Sequence, residues 1–312
     1  MKSHRQGYFN KFLYHANLSH FLFHFIRPFS KMTFGQKIIH KAKFDNRSLL
    51  TIFADKVAIK VQVAEIIGSE YVIPTYKVLD NALDLNFNEY SREFVLKPSH
   101  ASGAGFIIHE GAKRSKVPLN HNGSTWIPYY EIHPDDLKIN EDFIHEKSDG
   151  WLKSTYAPKK EYCYAGIPPK LIVEKYMRPD PTALLTDFRL YTFHGEVKFF
   201  RATTGVANHI PAFAYDKFGQ PLNIRAEHDD HDFKGPHPAL PSHYTEMIKL
   251  AEILAEGVDF VRVDLYLIGK QIYFSELTNF PLGGFIAFIP DTFNKQVGSD
   301  FKAFDVCSFN KK

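Results

Sequence analysis

Two strand-like runs flank Gly269-Lys270: Arg262-Val263-Asp264-Leu265-Tyr266 before it, and Tyr273-Phe274-Ser275-Glu276-Leu277-Thr278-Asn279 after it. Paired about Lys270 as a hairpin, they place Asp264 opposite Glu276 and Arg262 opposite Thr278. Alternation puts all four side chains on one face. Directly opposed Cβ atoms lie about 4.5–5.5 Å apart, so two carboxylates there repel unless something neutralises them. Mg²⁺ suits such a pair, because it takes one or two carboxylates and shares its remaining positions with substrate phosphates. A one-residue slip of register would send the acids to opposite faces and leave an ordinary solvent-facing hairpin.

Three further groups point to anions or to a nucleotide. Lys97 ends the run Phe94-Val95-Leu96-Lys97 and precedes the small-residue loop Ser99-His100-Ala101-Ser102-Gly103-Ala104-Gly105. Small residues let backbone N–H groups approach a phosphate, and a neighbouring lysine supplies charge. It is not a P-loop, since the lysine comes first and a strand follows; the alternative is a mobile hairpin. Asp55 stands where an N-cap would, with Lys56 beside it. A lysine at a helix N-terminus opposes the dipole unless an anion binds there; otherwise it is a surface lysine. Glu174, after the apolar run Leu171-Ile172-Val173, suits ribose hydroxyls. Arg189 lies two residues after Asp187, on the same strand face, where it suits a phosphate or carboxylate. The plainer reading is a surface Asp–Arg pair worth little.

Other chemistries are weaker. His228-Asp229-Asp230-His231-Asp232 with His237 has zinc-like spacing, but its Pro-, Gly- and charge-rich surroundings read as a solvated loop. No G-x-S-x-G occurs, and neither Cys163 nor Cys307 has a convincing His partner.

These groups need elements to hold them. The pattern predicts a helix over 55–67 stopped by Gly68, an extended piece from Glu70 to Pro74, and strands at Glu93–Lys97, Phe106–His109 and Leu171–Glu174. A hairpin joins Asp187–Thr192 to Glu196–Arg201 around His194-Gly195. A helix opened by Ser242 carries Met247, Leu250, Ala251 and Leu254, and Gly257 stops it. Strands Phe260–Ile268 and Gln271–Leu277 follow. Strand pairs at hairpin spacing predict an α+β fold on antiparallel sheets rather than a doubly wound parallel sheet.

Composition is consistent with that. The chain has 312 residues, 44% apolar and 23% charged, which excludes wholesale disorder. Two cysteines exclude a disulfide framework or a four-cysteine zinc site, and they fit a reducing compartment. The net charge of +3 hides an asymmetry: residues 1–60 contain eleven Lys or Arg and two acids. That basic, aromatic front suits anionic lipid or nucleic acid, and peripheral membrane contact through residues 1–50 is the expectation taken from it. The stretch Phe12 to Phe29 is too polar to span a bilayer. It reads as a helix packing its Phe face on the domain, or as one lying on a membrane surface.

Taken in order, Asp55-Lys56, Pro74, Phe94–Pro98 with its Ser/Gly loop, Val173-Glu174-Lys175, Asp187-Phe188-Arg189, Arg262-Val263-Asp264 and Glu276–Asn279 resemble an ATP-grasp enzyme. More closely, the chain is similar to the TupA-like (teichuronopeptide biosynthesis) ATP-grasp family over about residues 50–300. The resemblance implies two α+β subdomains gripping ATP, divided as a reduced segment 1–50, a first subdomain 51–172 and a second 173–312. It implies phosphate contacts by Lys56, Lys97 and the loop Ser102, Gly103 to Gly105, and an adenine hinge at Glu174, Lys175 and Tyr176. Asp187 matches the acid near ribose. Asp264 and Glu276 match Mg²⁺ ligands, two ions in all. Arg262 stabilises an acyl phosphate, and Arg189 faces phosphate or substrate. The third metal ligand, usually an Asn two residues after the Glu, is Thr278 here, with Asn279 one further.

The implied reaction is ATP-dependent carboxylate–amine ligation through an acyl phosphate. It would join an amino acid or related amine to a uronate in bacterial surface polysaccharide synthesis, in the cytoplasm, at the inner face of the membrane. An ATP-grasp kinase of a sugar or polyol hydroxyl would use nearly the same residues. A non-catalytic membrane-surface protein working through residues 1–60 is the third reading. Nucleic acid is not an expected partner.

Overall fold

The computed structural model describes residues 29–116, 125–156, 161–178, 185–203, 212–227 and 236–302. Three helices open it: α1 (Phe34–Phe44), α2 (Ser48–Ala54) and α3 (Ala58–Ile67). The sequence reading anticipated only the last. α1 starts with a capping box, in which Thr33 accepts from the Gln36 N–H while the Gln36 side chain accepts from the Thr33 N–H. Asp55 Oδ1 accepts from the N–H groups of Val57 and Ala58 and so caps α3. Gly68, at φ 116°, ends that helix.

A five-stranded sheet follows: β1 (Thr75–Leu79), β2 (Phe94–Pro98), β3 (Phe106–Ile108), β4 (Tyr130–Ile132) and β5 (Leu171–Lys175), in spatial order β1-β5-β2-β3-β4. The β3–β4 pair is parallel, so this sheet is mixed rather than antiparallel throughout. The anticipated extended piece at Glu70–Pro74 is instead a short turn, Ser69–Tyr71, and the strand begins after Pro74. One sheet face, carrying Phe94, Leu96, Phe106, Ile108 and Val173, buries against Phe143, Ile144 and Trp151 of α4 (Leu137–Leu152). The other face, with Lys97 and Glu174, is left for the cleft.

The second sheet contains β6 (Asp187–Phe193), β7 (Glu196–Thr203), β8 (Phe213–Asp216) and β9 (Pro221–Leu222); beyond the short β10 (Arg225–Ala226) come β11 (Phe260–Ile268) and β12 (Gln271–Thr278). Its spatial order is β12-β11-β6-β7-β8-β9, and every pair is antiparallel. β13 (Phe288–Ile289) pairs with β10. One face of the large sheet packs on α5 (Tyr244–Leu254) through Met247, Leu250, Ala251 and Leu254, and on Ile59 and Val63 of α3. The His243 backbone, not the Ser242 side chain, precedes α5, and no side chain caps it. The opposite face is split along its length. Tyr191, Phe193, Phe199 and Phe260 are covered by Phe34 of α1 and by Phe288, next to α6 (Asp291–Asp300). Further along the same strands stand Asp187, Arg189, Arg201, Arg262 and Asp264.

The basic front is partly turned inward. Lys37 is 2% exposed and donates to the carbonyls of Gly298 and Phe301. Lys41 pairs with buried Asp259, and Arg47 reaches the same carboxylate at 2.9 Å. These bonds fasten α1 and α2 to the second sheet and to α6. The boundary expected at 172/173 falls inside β5, a strand of the first sheet. No helix among the described residues is long and apolar enough to cross a membrane. Most of the Phe12–Phe29 stretch, the His228–Asp232 run and Cys307 lie outside the described residues.

Candidate active site

A cleft with about 510 Å³ of empty space separates the two sheets. Phe53 and Ala54 of α2, Lys56, Ile59 and Lys60, Lys97 of β2, Ser102, Tyr164, Glu174 of β5 and the run Phe274–Thr278 of β12 line it.

The floor is the β11–β12 hairpin. Its register sets Asp264 opposite Glu276 and Arg262 opposite Thr278, as the alternation requires. The hairpin does not close about Lys270 alone, however. Ile268 pairs with Gln271 across a two-residue turn, Gly269-Lys270, with Gly269 at φ 63°. That register would miss the opposition of the acids by one residue. A β-bulge between Asp264 and Leu265, where Ser275 is the extra residue on β12, restores it.

Arg262 neutralises the pair. Its guanidinium grips both oxygens of Asp264, with Nε to Oδ1 at 2.7 Å, and a second nitrogen reaches Glu276 Oε1 at 3.1 Å and Thr278 Oγ1 at 3.0 Å. Burial still pushes the Asp264 carboxyl up to about 7, with Glu276 adding to the shift and Arg262 opposing it. Burial also opposes ionisation of Glu276, but Arg262, Lys56 and the Thr278 hydroxyl hold it below the usual carboxylate range. Arg189 of β6 stands directly across from Asp264 on its other side and bonds Asp187 at 2.8 Å.

The lysines form the facing wall. Lys97 and Glu174 are diagonal neighbours on one face of β2 and β5 and form an ion pair. Lys60 bonds the second oxygen of Glu174 at 2.7 Å, and also Thr75 Oγ1 and the Ile73 carbonyl. Burial opposes the charge on each member of this trio; the two lysines nonetheless hold Glu174 below the usual carboxylate range, and Glu174 holds Lys97 above its usual value. Lys56 Nζ meets the Ala101 carbonyl. Burial, then the charge of Lys97, bring Lys56 down to about 8.

Several anticipated residues sit elsewhere. Lys175 is exposed and Tyr176 stacks on His109, centroids 5.1 Å apart; neither lines the cleft. Asn279 points away from the carboxylates and donates to the Leu50 carbonyl. Gly103 has open space around it, whereas a Cβ on Gly105 would meet Tyr129 at 2.6 Å. Lys60 and Tyr164 were missed by sequence reasoning. Lys60 had a signal, since it lies one helical turn beyond Lys56 and shares its face. Tyr164 had none.

Oxygen donors on a neutralising cleft fit Mg²⁺, the ion such a fold implies. Thr278 Oγ1 lies 3.0 Å from Glu276 Oε1, on the same strand face as Asp264, so three oxygen-bearing side chains stand together. Among the described residues, no group of three or more His, Cys, Asp or Glu is placed to hold a metal, so the protein donors would be this pair with Thr278.

Two α+β halves closing on a cleft of lysines and paired carboxylates define an ATP-grasp protein. The family model for TupA-like ATP-grasp proteins matches residues 36–302, and the chain belongs to that family. Among solved structures it is similar to the D-alanine–D-alanine ligase of Bacillus anthracis complexed with ATP, at 14% identity and a TM-score of 0.40, over 75% of this chain and 56% of that one. The D-alanine–D-alanine ligase of Helicobacter pylori gives 13% and 0.38, over 81% and 62%. The D-cycloserine synthetase DcsG gives 12% and 0.39, over 81% and 72%. The chain thus spans 56% and 62% of the length of the two D-alanine–D-alanine ligases. Comparison with curated proteins gave no match.

Proposed function

We propose that the protein is an ATP-dependent carboxylate–amine ligase working through an acyl phosphate. The activated acid is a uronate and the acceptor an amino acid or related amine, or the activated acid is the amino acid and the acceptor an amino sugar. The observation that carries this is the facing arrangement: Lys56, Lys60 and Lys97 on one wall of the cleft, Glu276 and Thr278 on the other, both bonded to Arg262, which grips Asp264.

In this reading the lysines hold the β- and γ-phosphates. Asp264 and Glu276 would hold Mg²⁺, which when bound offsets the phosphate charge that builds up during transfer. A substrate carboxylate oxygen attacks the γ-phosphorus and ADP leaves. Arg262, and Arg189 beside Asp264, stabilise the anionic groups at that point. The amine then attacks the acyl carbon, loses a proton, and expels phosphate. The Ser102–Gly105 loop, poised over Lys56, excludes water from the acyl phosphate.

The test is turnover of Mg-ATP with a panel of uronic and amino acids, using hydroxylamine as a generic amine. ADP, phosphate and a hydroxamate from one acid are expected. ADP with a stably phosphorylated alcohol would replace the ligase by a kinase.

A further inference from the structure

We propose that Asn279 is a positioning residue that sets the lysine wall against the carboxylate pair by tying the strand of Glu276 to the helix that precedes Lys56. It rests on the reading of the cleft as a phosphate site. The connections form a closed ring. From Glu276 the chain runs to Asn279. Asn279 Nδ2 donates to the Leu50 carbonyl of α2 at 2.9 Å, a buried bond between residues 229 apart in sequence. α2 continues through Phe53 and Ala54 of the cleft wall to Lys56, whose charge acts back on Glu276.

The direction of the side chain follows from strand geometry. Glu276 and Thr278 face the cleft, so Asn279, the next residue along, faces away and meets α2. The other edge of α2 is fixed independently, by Arg47 on Asp259, three residues before Arg262. Asn279 is therefore the tether on the β12 side. Its Oδ1 is buried and accepts no hydrogen bond from the described residues, and the Cys163 thiol lies beside the amide. A metal-ligand role would act through that oxygen, whereas the tether acts through the N–H. Aspartate separates them, since it keeps the oxygen, matches the shape and loses the donor.

The experiment is calorimetric binding of AMP-PNP with Mn²⁺ to the wild type, Asn279→Ala, Asn279→Asp, Lys56→Met and the Asn279→Ala/Lys56→Met pair, with thermal melts to check folding. Both single Asn279 variants are expected to bind nucleotide roughly fivefold more weakly, the scale of one buried hydrogen bond. The Mn²⁺ dependence at saturating nucleotide should not change. In the Lys56→Met background, Asn279→Ala should cost less than about twofold, because a residue acting through Lys56 has nothing left to position. Wild-type binding by Asn279→Asp, tighter Mn²⁺ binding, or a full additive loss would overturn the proposal. If Asn279→Ala does not fold, the isosteric aspartate carries the conclusion. If the wild type binds no AMP-PNP, the phosphate-site reading fails by itself. Acylation of Lys56 by sulfosuccinimidyl acetate then decides: a changed rate in the Asn279 variants supports the tether, and an unchanged rate refutes it.

Discussion

Lys56 is the cleft lysine whose charge state responds most to its surroundings. Burial and Lys97 lower its folded value to about 8, below the ordinary value near 10.4. Between those values the unfolded chain binds more protons than the folded one. Through this group, the stability of the nucleotide-free protein therefore rises from about pH 8 to about pH 10. Urea melts across that range should show the slope, and Lys56→Met should remove it. An arriving phosphate favours the charged amine. Calorimetry near pH 8.5 in buffers of different ionisation enthalpy should therefore show uptake of a fraction of a proton on nucleotide binding. Asp264, at about 7, is already ionised there and adds little to the signal. The Glu276 side chain is 43% exposed at the cleft, so Glu276→Ala should leave the melting temperature nearly unchanged while ADP formation is lost. Near-normal turnover in that variant would refute the metal assignment.

At the scale of elements, the hairpin and the tied-down helices do the placing. The acids were legible because alternation and a short turn leave few registers for β11 and β12. The bulge at Ser275 was not, since both the two-residue turn and the opposed acids look regular when each is read alone. Deleting Ser275 should leave Glu276 directly after Phe274 and still opposite Asp264 in an unbulged ladder, so we expect ADP formation and the β-sheet circular dichroism both to be retained. α1 and α2 escaped notice although Thr33-x-x-Gln36 is a capping-box pattern, because the surrounding Lys and Phe read as a basic surface segment. Lys37 and Lys41 are buried partners instead. Removing one member of a buried ion pair costs about 3–5 kcal/mol, so Lys41→Met should destabilise the fold by that order in urea unfolding. Tyr164 could not be found from the sequence, because it reaches the cleft from a short turn whose place depends on α2.

Across the whole molecule, two sheets each bury one face on helices and turn part of the other toward the cleft. The sorting is visible in single strands. β2 alternates buried Phe94 and Leu96 with Val95 and Lys97, and β6, β7 and β11 pass from aromatic to charged residues along one face. Five of the eleven basic residues in 1–60, namely Lys37, Lys41, Arg47, Lys56 and Lys60, are bound within the protein or line its cleft. Membrane attraction through this segment would have to come from the other six. The proposed ligase reaction rests on one bond change, the transfer of the γ-phosphoryl group to a carboxylate. In a ligase, that carboxylate loses one oxygen to the released phosphate. The most direct measurement is turnover with a carboxyl-¹⁸O-labelled uronic or amino acid that yields hydroxamate, followed by mass spectrometry of the phosphate. We expect one ¹⁸O in each phosphate released with amide formation; unlabelled phosphate would contradict the acyl-phosphate route.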